Sequence, residues 1–239
     1  MAAIIMDGKA LAEKVKGQVR AQAEALARTP GLAVILVGDN PASRVYVNGK
    51  KKDCAQCGFY SEEYALPAET SQQELLELIE TLNSREDIDG ILLQLPVPEH
   101  LDEQALLHAI RPDKDVDCFH PYNVGQLMIG EKGFLPCTQA GVMRMLQEYG
   151  IDPSGKRCVI IGRSNIVGKP QALLMLRENA TVTICHSRTQ GLKEECLRAD
   201  ILVAAAGKTG LVTGDMIKPG AVVIDVAMNR NAEGKLCGD

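Results

Sequence analysis

The feature that most constrains the fold is a strand-like run that ends in a glycine and leads into a helical pattern. Residues 159–161 are apolar and β-branched, which is typical of a buried strand in a parallel sheet. Gly162 permits a sharp turn, Gly168 permits close packing of the next element, and residues 171–178 have a helical pattern. Free N–H groups at the start of such a helix suit a phosphate group. Because Gly162-x-Ser164-x-x-x-Gly168 departs from the usual dinucleotide fingerprint, an ordinary strand-to-helix turn is the alternative.

The next predicted strand, residues 181–185, indicates which dinucleotide such a turn would bind. NAD-dependent enzymes usually carry an acidic residue after this strand, where it holds the ribose 2′-hydroxyl. This chain has Ser187 and Arg188 there instead, and Arg163 lies inside the glycine turn. Two guanidinium groups and a hydroxyl favour a 2′-phosphate, so we predict NADP rather than NAD as the cofactor. The alternative is that both arginines are solvated surface charges.

Two further apolar runs, residues 201–206 and 221–228, extend this half of the chain. Strands that alternate with helical patterns indicate right-handed crossovers and a Rossmann-like parallel sheet. Ligands of such sheets bind at the carboxyl ends of the strands. Gly207, Thr209 and Met228 fall at such ends, and Met228 is a candidate cofactor contact.

The first half of the chain has the same alternation, so we predict the α/β class with two α/β domains, residues 1–119 and 120–239. The predicted elements of the first half are strands at residues 32–37, 63–66 and 91–93 and helices at residues 7–28, 72–84 and 102–110. Ser71 and Glu74 form a capping box before the second of these helices. A helix from Thr138, its predicted N-cap, to Glu148 bridges the domains, and the active-site cleft is expected between them.

The helix after the first strand carries Tyr46 and Lys50, which are four residues apart and therefore share a face. Ser43 is the predicted N-cap of this helix. A tyrosine and a lysine above the end of a strand point toward a cleft. The alternative is that Lys50 belongs to a solvated run with Lys51 and Lys52.

Two further polar features follow buried segments of the first half. Gln94 ends the apolar run that contains Leu93, and a glutamine at that position needs partners. It either caps neighbouring backbone or reaches into the cleft. A loop carries three acidic residues, Asp113, Asp115 and Asp117. Either one of their carboxylates faces the cleft, or all three are solvated.

Composition excludes several functional classes for these 239 residues. The net charge of −5, with acids and bases interspersed, does not indicate a nucleic-acid partner. No apolar stretch approaches the roughly 18 residues of a membrane span. The N-terminus lacks signal-peptide features, so we expect a cytoplasmic protein. Cys54 and Cys57 form a C-x-x-C without a second pair or a nearby histidine, so we expect packed thiols and no metal site.

Taken together, five ordered motifs resemble the bifunctional methylenetetrahydrofolate dehydrogenase/methenyltetrahydrofolate cyclohydrolase family over essentially the whole chain. The motifs are Pro41-Ala-Ser43-x-x-Tyr46-Val-x-x-Lys50, Gly90-Ile-Leu-Leu-Gln94-Leu95-Pro96, Pro112-x-Lys-Asp-Val-Asp117, Pro136-Cys-Thr138 and Gly162-Arg-Ser-x-Ile-Val-Gly168. The resemblance implies NADP-dependent oxidation of 5,10-methylenetetrahydrofolate and hydrolysis of the methenyl product to 10-formyltetrahydrofolate. It also implies a homodimer formed through the cofactor domain.

The resemblance further implies roles for individual residues. Lys50 would be the main catalytic group, and Gln94 would hydrogen-bond it. Tyr46 would stack on the folate ring system, and Asp117 would accept hydrogen bonds from the pterin. Leu93 and Leu95 would belong to the same substrate site. The residues implied on the cofactor side are Thr138, Gly162, Arg163, Ser164, Ser187, Arg188 and Met228.

The chain departs from the family pattern at two positions, where Cys118 and Ala227 stand in place of glycine. The family also continues, beyond the position of Asp239, with a Pro/Gly-rich loop and a final helix. We expect a product that ends there to be less stable than one that has this tail. Two other functions are possible from the sequence: an NADP-dependent enzyme of the shikimate dehydrogenase type, or a non-catalytic NADP-binding module.

Overall fold

The computed structural model describes residues 3–231 and 233–239, so the first two residues of the N-terminal stretch lie outside it. The chain forms two compact units, Met1–Gly125 and Gln126–Asp239. The domain boundary predicted after residue 119 stays a prediction, as does a cleft between the domains. No helix in the described part of the chain combines the length and apolar character needed to cross a membrane.

A three-stranded parallel sheet lies at the centre of the first unit. The helices and strands are α1 (Gly8–Glu24), β1 (Gly31–Val37), α2 (Pro41–Cys57), β2 (Tyr60–Leu66), α3 (Gln72–Ser84), β3 (Gly90–Leu93), α4 (Glu103–Ala109) and α5 (Pro121–Ile129), which crosses the division between units. The strand order is β2-β1-β3. Because β1 is central, the ends of β1 and β3 are neighbours where the chain leaves β1 for α2.

The continuous apolar sequence of β1 reflects burial on both faces of the sheet. Ile35 packs with Leu75 and Ile79 of α3, whereas Val34 packs with Val47 of α2 on the other face. Each such side chain contributes about 1.5–3 kcal/mol when it is fully buried. Burial therefore fixes α2 and α3 against opposite faces of the sheet.

Helix α2 begins earlier than predicted, and Ser43 is not its N-cap. The side chain of Asn40 accepts hydrogen bonds from the backbone N–H groups of Ala42 and Ser43, at 2.9 and 3.2 Å. Pro41 follows at the first helical position, which suits its fixed φ. The capping box at the start of α3 is confirmed, with both of its hydrogen bonds present.

The second unit contains a four-stranded parallel sheet in the order β5-β4-β6-β7. Its helices and strands are α6 (Cys137–Glu148), β4 (Arg157–Ile161), α7 (Gly168–Arg177), β5 (Thr181–Cys185), α8 (Leu192–Arg198), β6 (Ile201–Ala204), β7 (Val222–Asp225), β8 (Asn229–Arg230) and β9 (Leu236–Cys237). Strands β8 and β9 form an antiparallel pair. The predicted α/β class and Rossmann-like parallel sheet are confirmed.

The structure corrects three further details of the sequence reading. The N-cap position of α6 is Pro136, so Thr138 lies in the first turn of the helix and makes no cap. Strands β6 and β7 end earlier than predicted, because the chain turns into loops after Ala204 and Asp225. Helix α5 was not predicted. The β8–β9 pair was not predicted either, because two-residue strands carry no periodicity.

Candidate active site and cofactor site

Lys50 and Gln94 are brought together at the carboxyl end of the first sheet. Lys50 lies midway along α2, and Gln94 directly follows β3. The Nζ atom of Lys50 donates a hydrogen bond to Oε1 of Gln94 at 2.9 Å. The Nε2 atom of Gln94 donates to the carbonyl of Leu95 at 2.9 Å, which turns the amide oxygen toward the lysine. Lys50 is half-buried, and the fixed amide oxygen of Gln94 holds its Nζ atom in place.

Asp117 lies close enough to Lys50 for the two charges to interact. Burial raises the pKa of Asp117, the positive charge of Lys50 lowers it, and the neighbouring Asp115 raises it further. Burial is the largest of these influences. A half-buried carboxylate within electrostatic range of a lysine therefore lies at this end of the sheet. That it faces a cleft stays a prediction.

The other two acids of this loop have different surroundings. Asp113 is exposed and pairs with Arg111. Asp115 is 3 % exposed, and its Oδ2 accepts hydrogen bonds from the backbone of His120 and the side chain of Asn123, at 2.8 and 2.9 Å. Asp115 thus holds the loop in place, while the charge of Asp117 is influenced by Lys50.

Lys114 is a structural residue whose burial is not evident from its sequence neighbours. Its Nζ donates to the carbonyls of Leu82 and Arg85 at 3.0 and 2.6 Å, at the end of α3. Burial lowers the pKa of this amine. The loop is also joined to β3, because the N–H of Ile91 donates to the carbonyl of Lys114 at 2.7 Å. Nothing in the charged sequence Asp113-Lys114-Asp115 distinguishes this anchor from a solvated turn.

The remaining predicted substrate residues lie around the same sheet end. Tyr46 is 46 % exposed, one helical turn before Lys50 on α2. Leu93 is buried at the end of β3, and Leu95 is partly buried against the core of the unit. A large exposed aromatic ring one helical turn from the lysine can pack against a planar ligand.

The residue directly after Asp117 has a strained backbone conformation. Cys118 is 1 % exposed and has φ of +59°, in the region that favours glycine. Cys118 therefore places a side chain at a position whose backbone conformation favours glycine, as expected from its departure from the family pattern. Ala227 has no positive φ, so its backbone conformation does not require glycine.

In the second unit, the turn after β4 begins and ends at positions that have no room for a side chain. Gly162 has φ of +133°, and a Cβ atom there would lie 2.4 Å from the carbonyl oxygen of Ala205. A Cβ atom on Gly168 would lie 2.2 Å from the carbonyl oxygen of Gly162. The turn therefore brings the start of α7 against the end of β4, and this close approach fits a bound phosphate group.

Ser164 organises the backbone between these two glycines. Its Oγ accepts hydrogen bonds from the N–H groups of Val167 and Gly168, at 3.1 and 3.3 Å. Its carbonyl accepts from the N–H of Lys169 at 3.1 Å. The hydroxyl therefore caps the start of α7, which keeps the amides of the turn in one arrangement.

The residues predicted to bind a 2′-phosphate follow two adjacent strands. Arg163 comes after β4, while Ser187 and Arg188 come after β5, and the last residues of these strands are paired. All three side chains are exposed, and neither guanidinium pairs with a carboxylate in the part of the chain that the structure describes. The donor set thus fits a 2′-phosphate. Thr138 and Met228 are also exposed, after the start of α6 and the end of β7.

Other clusters of reactive side chains are structural. Cys54 and Cys57 are buried, and burial raises the pKa of both thiols. Within residues 3–231 and 233–239, no three histidine, cysteine or acidic side chains are grouped as metal ligands would be.

The fold and these two sites define a class of two-unit α/β protein, in which one unit holds a lysine against an amide at the end of a parallel sheet and the other has a Rossmann-like sheet with a glycine turn. Models of the tetrahydrofolate dehydrogenase/cyclohydrolase catalytic domain and of its NAD(P)-binding domain match residues 6–117 and 136–239. The chain belongs to the tetrahydrofolate dehydrogenase/cyclohydrolase family.

Similar proteins agree with this assignment over the whole chain. Bifunctional protein FolD of Ruminiclostridium cellulolyticum is 58% identical over 242 residues, which cover 100% of this chain and 85% of the relative. The crystal structure of the bifunctional FolD enzyme from Campylobacter jejuni has a TM-score of 0.97 and 48% identity, and the match covers 100% of this chain and 86% of that one. The Trypanosoma brucei enzyme, complexed with NADP and an inhibitor, has a TM-score of 0.94 and 39% identity, with the same coverage.

These comparisons bear on several predictions at once. The predicted family, enzyme class and nucleotide cofactor are confirmed. The shikimate dehydrogenase type and the non-catalytic module are not favoured. Folate binding follows from the family.

Proposed function

We propose that the chain oxidises 5,10-methylenetetrahydrofolate with NADP and hydrolyses the methenyl product to 10-formyltetrahydrofolate. The observation that carries the proposal is the contact between Lys50 and Gln94, with Asp117 beside the lysine. This group lies at the carboxyl end of a parallel sheet, where ligands of such folds bind. The family supplies the reaction, and the contact supplies groups that can perform its proton transfers.

Lys50 is the proposed proton acceptor of the hydrolysis. Water adds to the cationic methenyl carbon, and the proton that it loses passes to the unprotonated Nζ of Lys50. The bond from this carbon to N5 of the folate then breaks as N5 takes up a proton and the added hydroxyl loses one. This gives the 10-formyl product and releases one proton overall. A free lysine titrates near pH 10.4, so such a base must be tuned by its surroundings. Gln94 contributes a fixed acceptor for the N–H of Lys50, because its own N–H group is held by Leu95. The lysine lone pair is thereby oriented away from Gln94.

Asp117 and Tyr46 are the proposed substrate-orienting residues. An ionised carboxylate only accepts hydrogen bonds, which matches the adjacent amino and N–H groups of a pterin. The ring of Tyr46 stacks on the folate ring system, and Leu93 and Leu95 contribute apolar surface. Orientation of this kind brings the one-carbon bridge close to Lys50.

The second unit holds the cofactor in this proposal. Gly162, Ser164 and Thr138 bind along the dinucleotide, with Met228 at another strand end, and a 2′-phosphate is bound by the residues Arg163, Ser187 and Arg188. When bound, NADP accepts a hydride from the methylene carbon. The protein residues position the two reactants and exclude the competing NAD by leaving its 2′-hydroxyl without an acidic partner.

An absorbance assay for methenyltetrahydrofolate tests this function. We expect formation of the methenyl product from methylenetetrahydrofolate with NADP, followed by its hydrolysis, and much weaker activity with NAD. Turnover with equal efficiency for both cofactors would contradict the NADP assignment, while no turnover with either would contradict the function as a whole.

We also propose a cytoplasmic homodimer that associates through the cofactor unit. Exposed apolar side chains on its surface support this association, including Leu176 of α7 and Ile184 of the edge strand β5. Sedimentation analysis should give the mass of two chains, and a monomer at micromolar concentration would contradict the proposal.

A further inference from the structure

One fully buried side chain in the second unit joins two elements of the proposed cofactor site. Gln139 lies in the first turn of α6 and is 0 % exposed. Its Nε2 donates hydrogen bonds to the carbonyls of Ile166 and Val167, at 3.0 and 3.2 Å. These carbonyls belong to the turn between Gly162 and Gly168. A single amide thus connects α6 to the backbone that is proposed to bind phosphate.

Gln139 lies close to two residues that are proposed to bind the cofactor. Thr138, which immediately precedes Gln139, is a proposed cofactor contact on α6. Ser164 fixes the same turn from within, through the N–H groups of Val167 and Gly168. Gln139 fixes it from outside, through carbonyls. Two side chains therefore hold the turn: Ser164 binds its N–H groups, and Gln139 binds its carbonyl groups.

The amide of Gln139 is retained at a cost to stability. Its Oε1 is buried and accepts no hydrogen bond in the described part of the chain. A buried carbonyl without a donor destabilises the folded state. An apolar side chain of similar size would avoid this cost, but it would also remove the two hydrogen bonds to the carbonyls of Ile166 and Val167.

We propose that Gln139 is a positioning residue for NADP, which holds the Gly162–Gly168 turn in its phosphate-binding conformation. This inference rests on the cofactor site of the proposed function. Gln139 does not contact the reacting atoms in this proposal. Its loss should therefore weaken cofactor binding while the chemical step of bound substrates stays unchanged.

The chain offers a matched control in Gln171 of α7. Gln171 is also 0 % exposed, and its Oε1 is also buried without a hydrogen bond within the described residues. Its Nε2 donates only to the sulfur of Met143, at 3.6 Å, and not to the glycine turn. Replacement by methionine removes the amide from either position and nearly preserves its volume.

The experiment compares Gln139→Met with Gln171→Met in two measurements. In steady-state kinetics, we expect Gln139→Met to raise KM for NADP about tenfold with kcat within about twofold, and Gln171→Met to change neither. In amide hydrogen exchange of the protein without cofactor, we expect faster exchange at residues 164–168 for Gln139→Met alone.

The exchange measurement separates the two proposals. If the wild type does not use NADP, the proposed function fails, while the exchange still reports whether Gln139 holds the turn. Equal effects of both variants, or unchanged KM and exchange in Gln139→Met, would overturn the positioning role. If Gln139→Met does not fold, the shorter Gln139→Asn is tested by the same criteria.

Discussion

The two units of this protein use the same arrangement of strands for different chemistry. In each, the first strand is central, the second lies on one side and the third on the other, as in β2-β1-β3 and β5-β4-β6. The ends of the first and third strands are therefore neighbours, which is where such folds bind ligands. Topology alone does not distinguish the units.

The difference lies in how the chain leaves the central strand. After β1, Asn40 caps α2 through its side chain, and the chemistry is presented by Lys50 further along the helix. After β4, Gly162 and Gly168 pack α7 so closely that no Cβ atom fits, and backbone is presented instead. One unit thus exposes a side chain that can exchange protons, and the other exposes a surface that can bind phosphate.

The largest expected effect is a loss of cyclohydrolase activity without a loss of cofactor binding. We expect Lys50→Met to lower cyclohydrolase activity by about a hundredfold or more, because it removes the proposed proton acceptor. NADPH affinity should not change, since the glycine turn is intact. Hydrolysis of added methenyltetrahydrofolate and a fluorescence titration with NADPH measure the two quantities.

The neighbouring Lys51 is the control for this variant. Its Nζ pairs with Glu63 at 2.6 Å. We expect Lys51→Met to stay within about twofold of wild-type activity, because Lys51 is exposed and Glu63 keeps Arg44 as a partner. If both variants retain hydrolysis, Lys50 is not the proton acceptor.

The second prediction applies to the backbone site. In Gly168→Ala, the new Cβ atom would lie 2.2 Å from the carbonyl oxygen of Gly162, so the turn must shift. We expect NADPH affinity to fall at least about tenfold, with about 1–3 kcal/mol of lost stability. Gly141→Ala in α6 is the control, because nothing lies within 4 Å of its Cβ position. That variant should bind normally and gain up to about 1 kcal/mol.

The third prediction compares one buried cysteine from each unit. Cys118 has φ of +59°, whereas Cys196 lies in α8, and each is 1 % exposed. At position 118, we expect the glycine variant to be more stable than the alanine variant by about 1 kcal/mol, because glycine relieves the strain. At position 196, the order should reverse by about 1 kcal/mol, because glycine weakens a helix.

Urea unfolding of the four variants measures these differences. The comparison within each position removes the effect of the lost thiol, which alanine and glycine share. Alanine being the more stable residue at both positions would show that Cys118 is not strained.

The smallest expected effect concerns the pH dependence of stability. Burial raises the pKa of Asp117, so its ionisation costs folding free energy as pH rises from the ordinary aspartate pKa through the raised value. We expect Asp117→Asn to be more stable than wild type at neutral pH, with the gain disappearing in acid. Substrate binding should be weakened by the same change.

Asp113, in the same loop, should have the opposite effect on the pH dependence of stability. Hydrogen bonds from Arg111 lower the pKa of Asp113, so its contribution to stability is present at neutral pH and is lost as pH falls through the lowered value. Asp113→Asn should therefore be slightly less stable than wild type at neutral pH. Thermal melts between acid and neutral pH measure both variants, and shifts of the same sign would contradict this account.

The parts of the site that could be predicted are those recorded in local sequence. The glycine turn was predictable because Gly162 and Gly168 follow an apolar strand at fixed spacing. The capping box of α3 was predictable because both partners lie within four residues of each other. The cap of α2 was predicted wrongly at Ser43, because Asn40 competes for that position. The cap of α6 was predicted wrongly at Thr138, because that helix begins after Pro136 without any side-chain cap.

The parts that could not be predicted depend on contacts between distant segments. Lys50 was assigned by family resemblance, since its sequence neighbours Lys51 and Lys52 have the same charge. Its contact with Gln94 joins residues 44 positions apart. Lys114 and Gln139 gave no signal, because their partners are backbone carbonyls that any residue could supply.

By itself, the sequence determined the α/β class, the two-unit alternation of strands and helices, and the places where backbone must approach without a side chain. Those properties follow from periodicity and from the presence of glycine, which are local. Only the tertiary structure decided which carboxylate of the acidic loop is within electrostatic range of Lys50, which lysine is buried, and which amide contacts the turn. These depend on packing, because burial and hydrogen-bond partners arise only when distant segments meet.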